Sequence, residues 1–401
     1  MSQPAKMNPF SISRIPKLEF GTGSINKLPD ILNKFANNVL VVTGARSFLQ
    51  SEHWQQLEKS LTNASKNIYI CHIVTEPSPD LVDDLVSQFK PSDIDVVIAI
   101  GGGSALDAGK AIAGLLKIEN SVMDFLEGVG PELNYTGPAV PFIAVPTTAG
   151  TGSEATKNAV LSVQAYDGFK KSFRDEQLVP EYAIVDPDLL ASCPQSLIAA
   201  NGMDALTQLM ESYVSTNANP ITDATALSGI EAVRDSLADW FSGNNNNENR
   251  SKMAYASLLS GINLAQTGLG SVHGLASPLG AFFPIPHGIV CGTLVAEATA
   301  INIQAMQERE NENIGLKKYA DIGRVFLNDH SLSDHGAQQA LVNALSDLTD
   351  QMELPLLKEY GIRIEHLEHI VGNSRGSSMK TNPIVLTDDE IRNIVFRRIN
   401  N

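Results

Sequence analysis

Positive charge is what this chain is shortest of: 29 lysines and arginines stand against 45 aspartates and glutamates, a formal net charge of −16 over 401 residues. Phosphate backbones and anionic bilayers repel so acidic a surface, which argues against nucleic acid or a membrane as the main partner. Long apolar runs are missing too, and none reads as a bilayer span. Lys6, Arg14 and Lys17 lie among prolines without the apolar stretch of a signal peptide, so the expectation is a soluble, cytoplasmic protein. Cysteine is scarce: Cys71, Cys193 and Cys291 are far apart, odd in number and without a CxxC pair, so they read as three reduced, buried thiols rather than a disulfide framework. No internal repeat is visible. A chain of this length exceeds one ordinary core, and two domains are expected.

What is present is organised around Val96-Val97-Ile98-Ala99-Ile100-Gly101-Gly102-Gly103-Ser104, a buried-strand pattern ending in a glycine turn and followed at once by an alanine-rich helical pattern. Glycines let backbone N–H groups approach an anion, and the helix adds its unpaired N–H groups and positive dipole end. Two phosphate motifs nearly fit and fail. A Walker A loop needs four residues before Gly-Lys and a hydroxyl after it, whereas five separate Gly103 from Gly109 and Ala111 follows Lys110; the dinucleotide fingerprint ends on Leu106 instead of glycine. A plain glycine turn between strand and helix remains open at this point.

Before this junction, strands near 18–20, 39–43 and 68–73 alternate with helices near 31–35, 47–61 and 80–89, a βαβ rhythm with a ligand crevice at the carboxyl ends of the strands. The second strand ends in Thr43-Gly44-Ala45-Arg46-Ser47. No carboxylate stands there to repel a 2′-phosphate, and Arg46 and Ser47 suit one, so NADP is favoured over NAD with Gly44, Arg46 and Ser47 at the ribose. After a strand at 140–145, the segment Pro146-Thr147-Thr148-Ala149-Gly150-Thr151-Gly152-Ser153-Glu154 carries four hydroxyls and two glycines, more than a connecting loop needs. A hairpin at 159–164 and 169–173 and a strand at 182–185 follow. From Pro194 onward the pattern is helical: 196–214, 223–241, 248–267, 288–307 and 313–326, with a capping box at Thr387 and Glu390. The boundary falls between Pro187 and Pro194, giving an α/β domain over residues 1–190 and an all-helical domain over residues 191–401.

In the helical part, Asp204 and Gln208 lie four residues apart and project from one face. His273 and His287 are each followed by glycine and lie outside charged, surface-like contexts. A carboxylate and two imidazoles suffice for a catalytic divalent metal with an open position; two satisfied interior histidines are the other reading.

Taken together the segments resemble the iron-containing (group III) alcohol dehydrogenases, related to glycerol dehydrogenase and dehydroquinate synthase. The resemblance rests on Phe20-Gly21-Thr22-Gly23-Ser24, Gly101-Gly102-Gly103-Ser104 with Asp107 and Lys110, Pro146 to Glu154, Ala183 to Pro187, Gly202 to Thr207, both His-Gly elements and Thr381-Asn382-Pro383, so it spans nearly the whole chain. It implies a dehydroquinate-synthase-like fold, with a parallel nucleotide-binding sheet in an N-terminal α/β domain, an all-α C-terminal domain, and a homodimer joined near the N-terminal strand. It implies that Gly102, Gly103 and Ser104 hold the pyrophosphate with Asp107 nearby. Thr147, Thr148, Thr151 and Ser153 would line the cofactor and Lys170 meet the ribose, while Asp204, His273 and His287 bind the metal and act in catalysis.

Two departures matter. Gln208 stands where the family usually has a histidine ligand; its neutral amide oxygen is a weaker donor, which leaves iron(II), zinc and a metal-free reductase open. Ser277 replaces a histidine often found four residues after the first His-Gly histidine, so a proton relay there is in doubt. The expected activity is hydride transfer between a small alcohol or aldehyde and NADP or NAD. Its rivals are a metal-free carbonyl reductase, a non-redox lyase of the same fold and a catalytically inactive cofactor-binding module.

Overall fold

Runs such as 39–42, 96–100 and 142–145 are too uniformly apolar to leave one face in water. The computed structural model, which describes residues 9–44 and 48–400, buries them on both faces of one sheet. Its strands in chain order are β1 (Lys17–Phe20), β2 (Asn38–Thr43), β3 (Asn67–His72), β4 (Val96–Gly101), β5 (Phe142–Pro146), β6 (Asn158–Val163), β7 (Phe169–Arg174) and β8 (Tyr182–Val185). Six form a sheet of order β1-β8-β5-β4-β2-β3 with every pair parallel, and β6 and β7 form a separate antiparallel hairpin. The helices beside the sheet are α1 (Leu28–Leu32), α2 (Glu52–Asn63), α3 (Pro79–Phe89) and α4 (Gly103–Leu115). Alternation does the sorting: Val97, Ala99 and Phe142 share a core with α3 and α4, whereas Val96, Ile98 and Val145 share one with α1 and α2. The first long helix starts later than its apolar pattern predicts, at Glu52, because Ser51 accepts the Trp54 N–H at 3.3 Å and caps it.

The second half is helical: α5 (Gln195–Val214), α6 (Pro220–Arg234), α7 (Leu237–Phe241), α8 (Asn247–Thr267), α9 (Ser271–Phe282), α10 (His287–Arg309), α11 (Ile314–Leu327), α12 (Asp334–Gln351), α13 (Leu367–Gly372) and α14 (Asp388–Asn400). These helices share one continuous core. The helix expected over 223–241 is broken after Arg234, where Ser236 turns its hydroxyl back onto the Ala232 carbonyl at 2.6 Å. The Thr387–Glu390 capping box forms, with Thr387 N–H on Glu390 Oε2 and Glu390 N–H on Thr387 Oγ1. The reading that no run reaches bilayer length is corrected by α10, whose 23 residues are long and apolar enough by length and composition. Since 83% of its apolar window is buried inside the protein, it is a core helix.

Two features place the site. Going from β3 to β4 the chain crosses from one side of β2 to the other, so a crevice opens between the carboxyl ends of β2 and β4, next to Gly44 and Gly101. The segment after β5 then docks against the helices. At Gly152, with φ +60°, a Cβ would come within 2.4 Å of the Gly261 backbone in α8, so only glycine lets the two halves approach this closely.

Candidate active site

The glycine turn is built as an anion cradle. No side chain caps α4, whose N-cap is Gly102, so its first N–H groups are left for a ligand. A Cβ on Gly103 would meet the Thr151 side chain at 3.0 Å, and one on Gly102 would lie 3.3 Å from Thr148 Oγ1; the hydroxyl segment therefore faces the turn across the space a side chain would fill. Both open into a cleft of about 1300 Å³ between the sheet edge and the helices. Gly44, Ser104, Asp107 and Ser153 line it from the sheet side, Lys170 from the hairpin, and Asp204, Gln208, His273 and His287 from the helices. Thr147 does not line it: its N–H is bonded to Gly101 O at 2.9 Å and prolongs the sheet edge. Arg46 and Ser47 lie outside the described residues.

Beneath the cradle sits Lys110, fully buried. Its ammonium donates to Ser153 O (2.9 Å), Ser153 Oγ (3.1 Å), Thr156 Oγ1 (2.9 Å) and Asn158 O (2.6 Å), and it lies 3.9 Å from Asp107. Asp107 in turn accepts from Ser153 Oγ at 2.5 Å, and burial raises its pKa. Lys170 leans across the cleft to Glu76, 2.6 Å away.

Glu154 is also fully buried, and burial pushes its carboxyl up to about 7 against the weaker pull of Lys110. Its unfolded pKa is lower, so between about 4.5 and 7 the folded chain holds the proton that the unfolded chain has lost. Stability should therefore fall as pH rises through that window, by about 2–3 kcal/mol at most. Urea titrations of the wild type at pH 5 and pH 8 should show the drop, and a Glu154→Gln variant should lose it.

The helical side gathers four donors. Asp204 of α5, His273 of α9, and His287 and Cys291 of α10 each bring one ligand atom to within 4.8 Å of the others. Asp204 Oδ1 lies 3.2 Å from His273 Nε2 and 3.7 Å from His287 Nε2, and Asp204 Oδ2 is buried with no hydrogen-bond partner. Burial alone would raise the Asp204 carboxyl, yet the imidazoles outweigh it and hold it at about 2. His287 is pushed down to about 4, chiefly by burial. His273 is pulled down by burial, but Glu211, Asp204 and Cys291 more than offset this and raise it well above its usual value. Cys291, pushed up to about 12 by burial, sits 3.6 Å from His273 Nε2. Gln208 is near enough to help hold the Asp204 charge, and its Oε1 lies 3.0 Å from Ser260 Oγ, turned toward α8.

Glu211, not singled out in the sequence, aims this cluster. One of its oxygens accepts the Val272 N–H at 2.6 Å and the other faces His273 Nδ1 at 2.7 Å, so the carboxylate caps α9 and keeps the Nδ1 proton, leaving Nε2 to face Asp204. Asn382, from the Thr381-Asn382-Pro383 element, accepts the Ser271 N–H at 3.0 Å and completes the cap. Glu211→Ala should weaken zinc binding by about 10–100-fold, measured by competition with a coloured chelator, and Glu211→Gln should recover part of the loss. An unchanged affinity in the alanine variant would remove Glu211 from any positioning role.

Ser277 lines the same cleft and donates its hydroxyl to Lys170 O at 2.9 Å.

Residues 16–187 match the family model described as iron-containing alcohol dehydrogenase, and residues 198–399 match the one described as Fe-containing alcohol dehydrogenase family, C-terminal. Alcohol dehydrogenase 4 of Saccharomyces cerevisiae is 32% identical over 389 residues, 95% of this chain and 96% of that protein. The NAD-dependent methanol dehydrogenase of Bacillus methanolicus is 31% identical over 386 residues, 95% of this chain and 97% of that one. Among solved structures, a 1,3-propanediol oxidoreductase superimposes with a TM-score of 0.87 at 27% identity, covering 98% of this chain and all of the other.

Proposed function

The chain belongs to the iron-containing alcohol dehydrogenase family, and on that premise we propose that it interconverts a small alcohol with its aldehyde or ketone, using a nicotinamide dinucleotide and a divalent metal in the cleft between its two halves. One observation carries the reading: an anion cradle and a carboxylate–imidazole cluster open into the same cleft of about 1300 Å³, large enough for a dinucleotide beside a small substrate. A nicotinamide and a divalent metal bound there would supply a hydride carrier and a Lewis acid for the substrate oxygen.

This chain's own residues supply the rest. Asp204, His273 and His287 would hold the ion, and the unpartnered Oδ2 of Asp204 is what such a site leaves free for a cation. Gly102, Gly103 and Ser104 would receive the diphosphate on open N–H groups, with Thr148, Thr151 and Lys170 around the rest of the nucleotide. Asp204 is 1% exposed whereas His287 beside it is 26% exposed, so the carboxylate is shielded and the imidazole is the part of the cluster that faces the open cleft. The Ser277 hydroxyl is committed to a backbone carbonyl, which supports no proton relay through that position.

NADP is the nucleotide we favour, because the end of β2 carries no carboxylate at Thr43 to Ser47. Iron(II) and zinc both suit the donors. A homodimer meeting at β1 is supported by that strand's place at the sheet edge, where Phe20 is 41% exposed; the cytoplasm suits three free thiols.

The test follows nicotinamide absorbance with chelator-treated protein and a panel of small aldehydes, with NADPH or NADH and with or without added zinc or iron(II). Metal-dependent oxidation of the nucleotide is expected. Tight nucleotide binding with no turnover of any aldehyde under every metal condition would favour an inactive module instead.

A further inference from the structure

We propose that Cys291 is the fourth metal ligand of this protein, taking the part Gln208 would have played, and that the resulting Asp204–His273–His287–Cys291 set selects zinc over iron(II). The proposal deepens the metal-dependent reading above and rests on it.

The spacing of the donors is the first ground. A tetrahedral zinc ion at about 2.0–2.1 Å from nitrogen and oxygen and about 2.3 Å from sulfur sets N···O edges near 3.3 Å and S···N edges near 3.6 Å. The protein shows N···O separations of 3.2 and 3.7 Å from Asp204 Oδ1 to the two imidazoles, and S···N separations of 3.6 and 3.8 Å from Cys291 Sγ to the same two nitrogens. Four edges of the polyhedron are thus already at length, with both imidazoles presenting Nε2.

The second ground is what each side chain otherwise does. Gln208 Oε1 lies 3.0 Å from Ser260 Oγ, a buried hydroxyl that is also 2.8 Å from the Ser257 carbonyl, so the amide oxygen is turned toward α8. Asp204 Oδ2, fully buried, has no partner, so the cluster holds an unsatisfied anionic oxygen. Cys291 follows His287 by one helical turn on α10, and the same face of that helix therefore delivers both an imidazole and a sulfur. Cys71, by contrast, is a strand residue among the apolar side chains beneath the sheet.

The third ground is chemical. A histidine position that has become glutamine removes a borderline donor, and a sulfur donor returns more than was lost for a soft ion. Thiolate selects zinc among mononuclear sites while imidazole suits zinc and iron alike, so one exchange of ligands moves the preference of the whole site toward zinc.

Cobalt(II) added to chelator-treated protein tests this without an activity assay. Visible ligand-field bands report occupancy of the site, and a near-ultraviolet sulfur-to-cobalt band reports a bound thiolate. The wild type should show both. Cys291→Ser should keep the visible bands, lose the near-ultraviolet band and bind zinc more weakly by at least the roughly 10–100-fold that a lost supporting partner costs, with a smaller change for iron(II). Gln208→Ala should keep the near-ultraviolet band. If Cys291→Ser does not fold, a Cys71→Ser/Cys193→Ser double variant replaces it: a retained band then assigns the sulfur to Cys291, and a lost band overturns the proposal. Visible bands without the near-ultraviolet band in the wild type overturn it while sparing the metal-dependent function; no cobalt uptake at all overturns both.

Discussion

An Asp204→Asn variant is expected to lose at least about 10²–10³-fold in turnover with every aldehyde that the wild type reduces, while its affinity for the nucleotide stays within about twofold. Asparagine keeps the volume and one oxygen, so α5 still packs; what goes is the charge. Among the described residues Asp204 is the one carboxylate whose oxygen faces both Nε2 atoms, and with its pKa at about 2 it is ionised at any working pH. Without it, the His273 and His287 imidazoles have no carboxylate between them to attract a dication, and Glu211 cannot take its place because its oxygens are held by Val272 N–H and His273 Nδ1. The nucleotide is proposed to rest on Gly102, Gly103, Thr148 and Thr151 on the sheet side, which the change does not touch. Metal content of the purified variant, a fluorescence titration with NADPH and steady-state rates give the three readings. Wild-type turnover of Asp204→Asn or His273→Ala in metal-free buffer would mean that the metal has no part in the chemistry.

The strands were legible because they obey a rule that operates within five or six residues. Runs such as Val39 to Val42 and Val96 to Ile100 bury both faces, so β-branched apolar residues in succession had one structural outcome available, and a parallel sheet covered by helices followed. The cradle was legible in part for the same reason: glycines next to a strand end and an uncapped helix start are local features. Helix α9 was not read as a helix, because what starts it is not local. Gly270 precedes it with no capping side chain, and the missing acceptors come from Glu211 and Asn382, each more than 60 residues away in sequence.

The donor cluster on the helical side shows the same division. The two histidines stood out by their surroundings and Asp204 by its spacing from Gln208, whereas Glu211 and Cys291 did not stand out, though their spacing carried the signal. Glu211 follows Asp204 by seven residues and Cys291 follows His287 by four, so each shares a helix face with a residue already singled out. Reading the faces rather than the residues would have found both. That α5, α9 and α10 bring those faces to one point depends on packing across the whole helical core, which no window of sequence contains. Gln208 shares a face with Asp204 as its spacing predicts, and its Oε1 lies 3.0 Å from Ser260 Oγ of α8, a neighbour that no spacing within α5 could show.

Lys110→Met is expected to cost about 3–5 kcal/mol of stability, the largest effect foreseen away from the metal site. The ammonium stands on α4 and ties that helix to Ser153, Thr156 and Asn158, three points along the segment that closes the cradle. Methionine fills much of the same volume but leaves the Ser153 and Asn158 carbonyls without this donor and Asp107 without its cation, each a desolvated group that must stay buried or be exposed by loosening the segment. Because Thr151 and Ser153 belong to that segment, nucleotide affinity should fall on the order of tenfold as well. The pH dependence separates the charge from the contacts. Burial lowers the Lys110 pKa to about 8, below its unfolded value near 10.5, so from 8 to 10.5 the unfolded chain binds more protons than the folded one and wild-type stability gains as pH rises. The variant has no such gain, and the gap between the two should widen across that window. Urea unfolding at pH 7 and pH 9.5 measures both numbers; a variant within about 1 kcal/mol of wild type at each pH would show that the buried amine stabilises neither the cradle nor the fold.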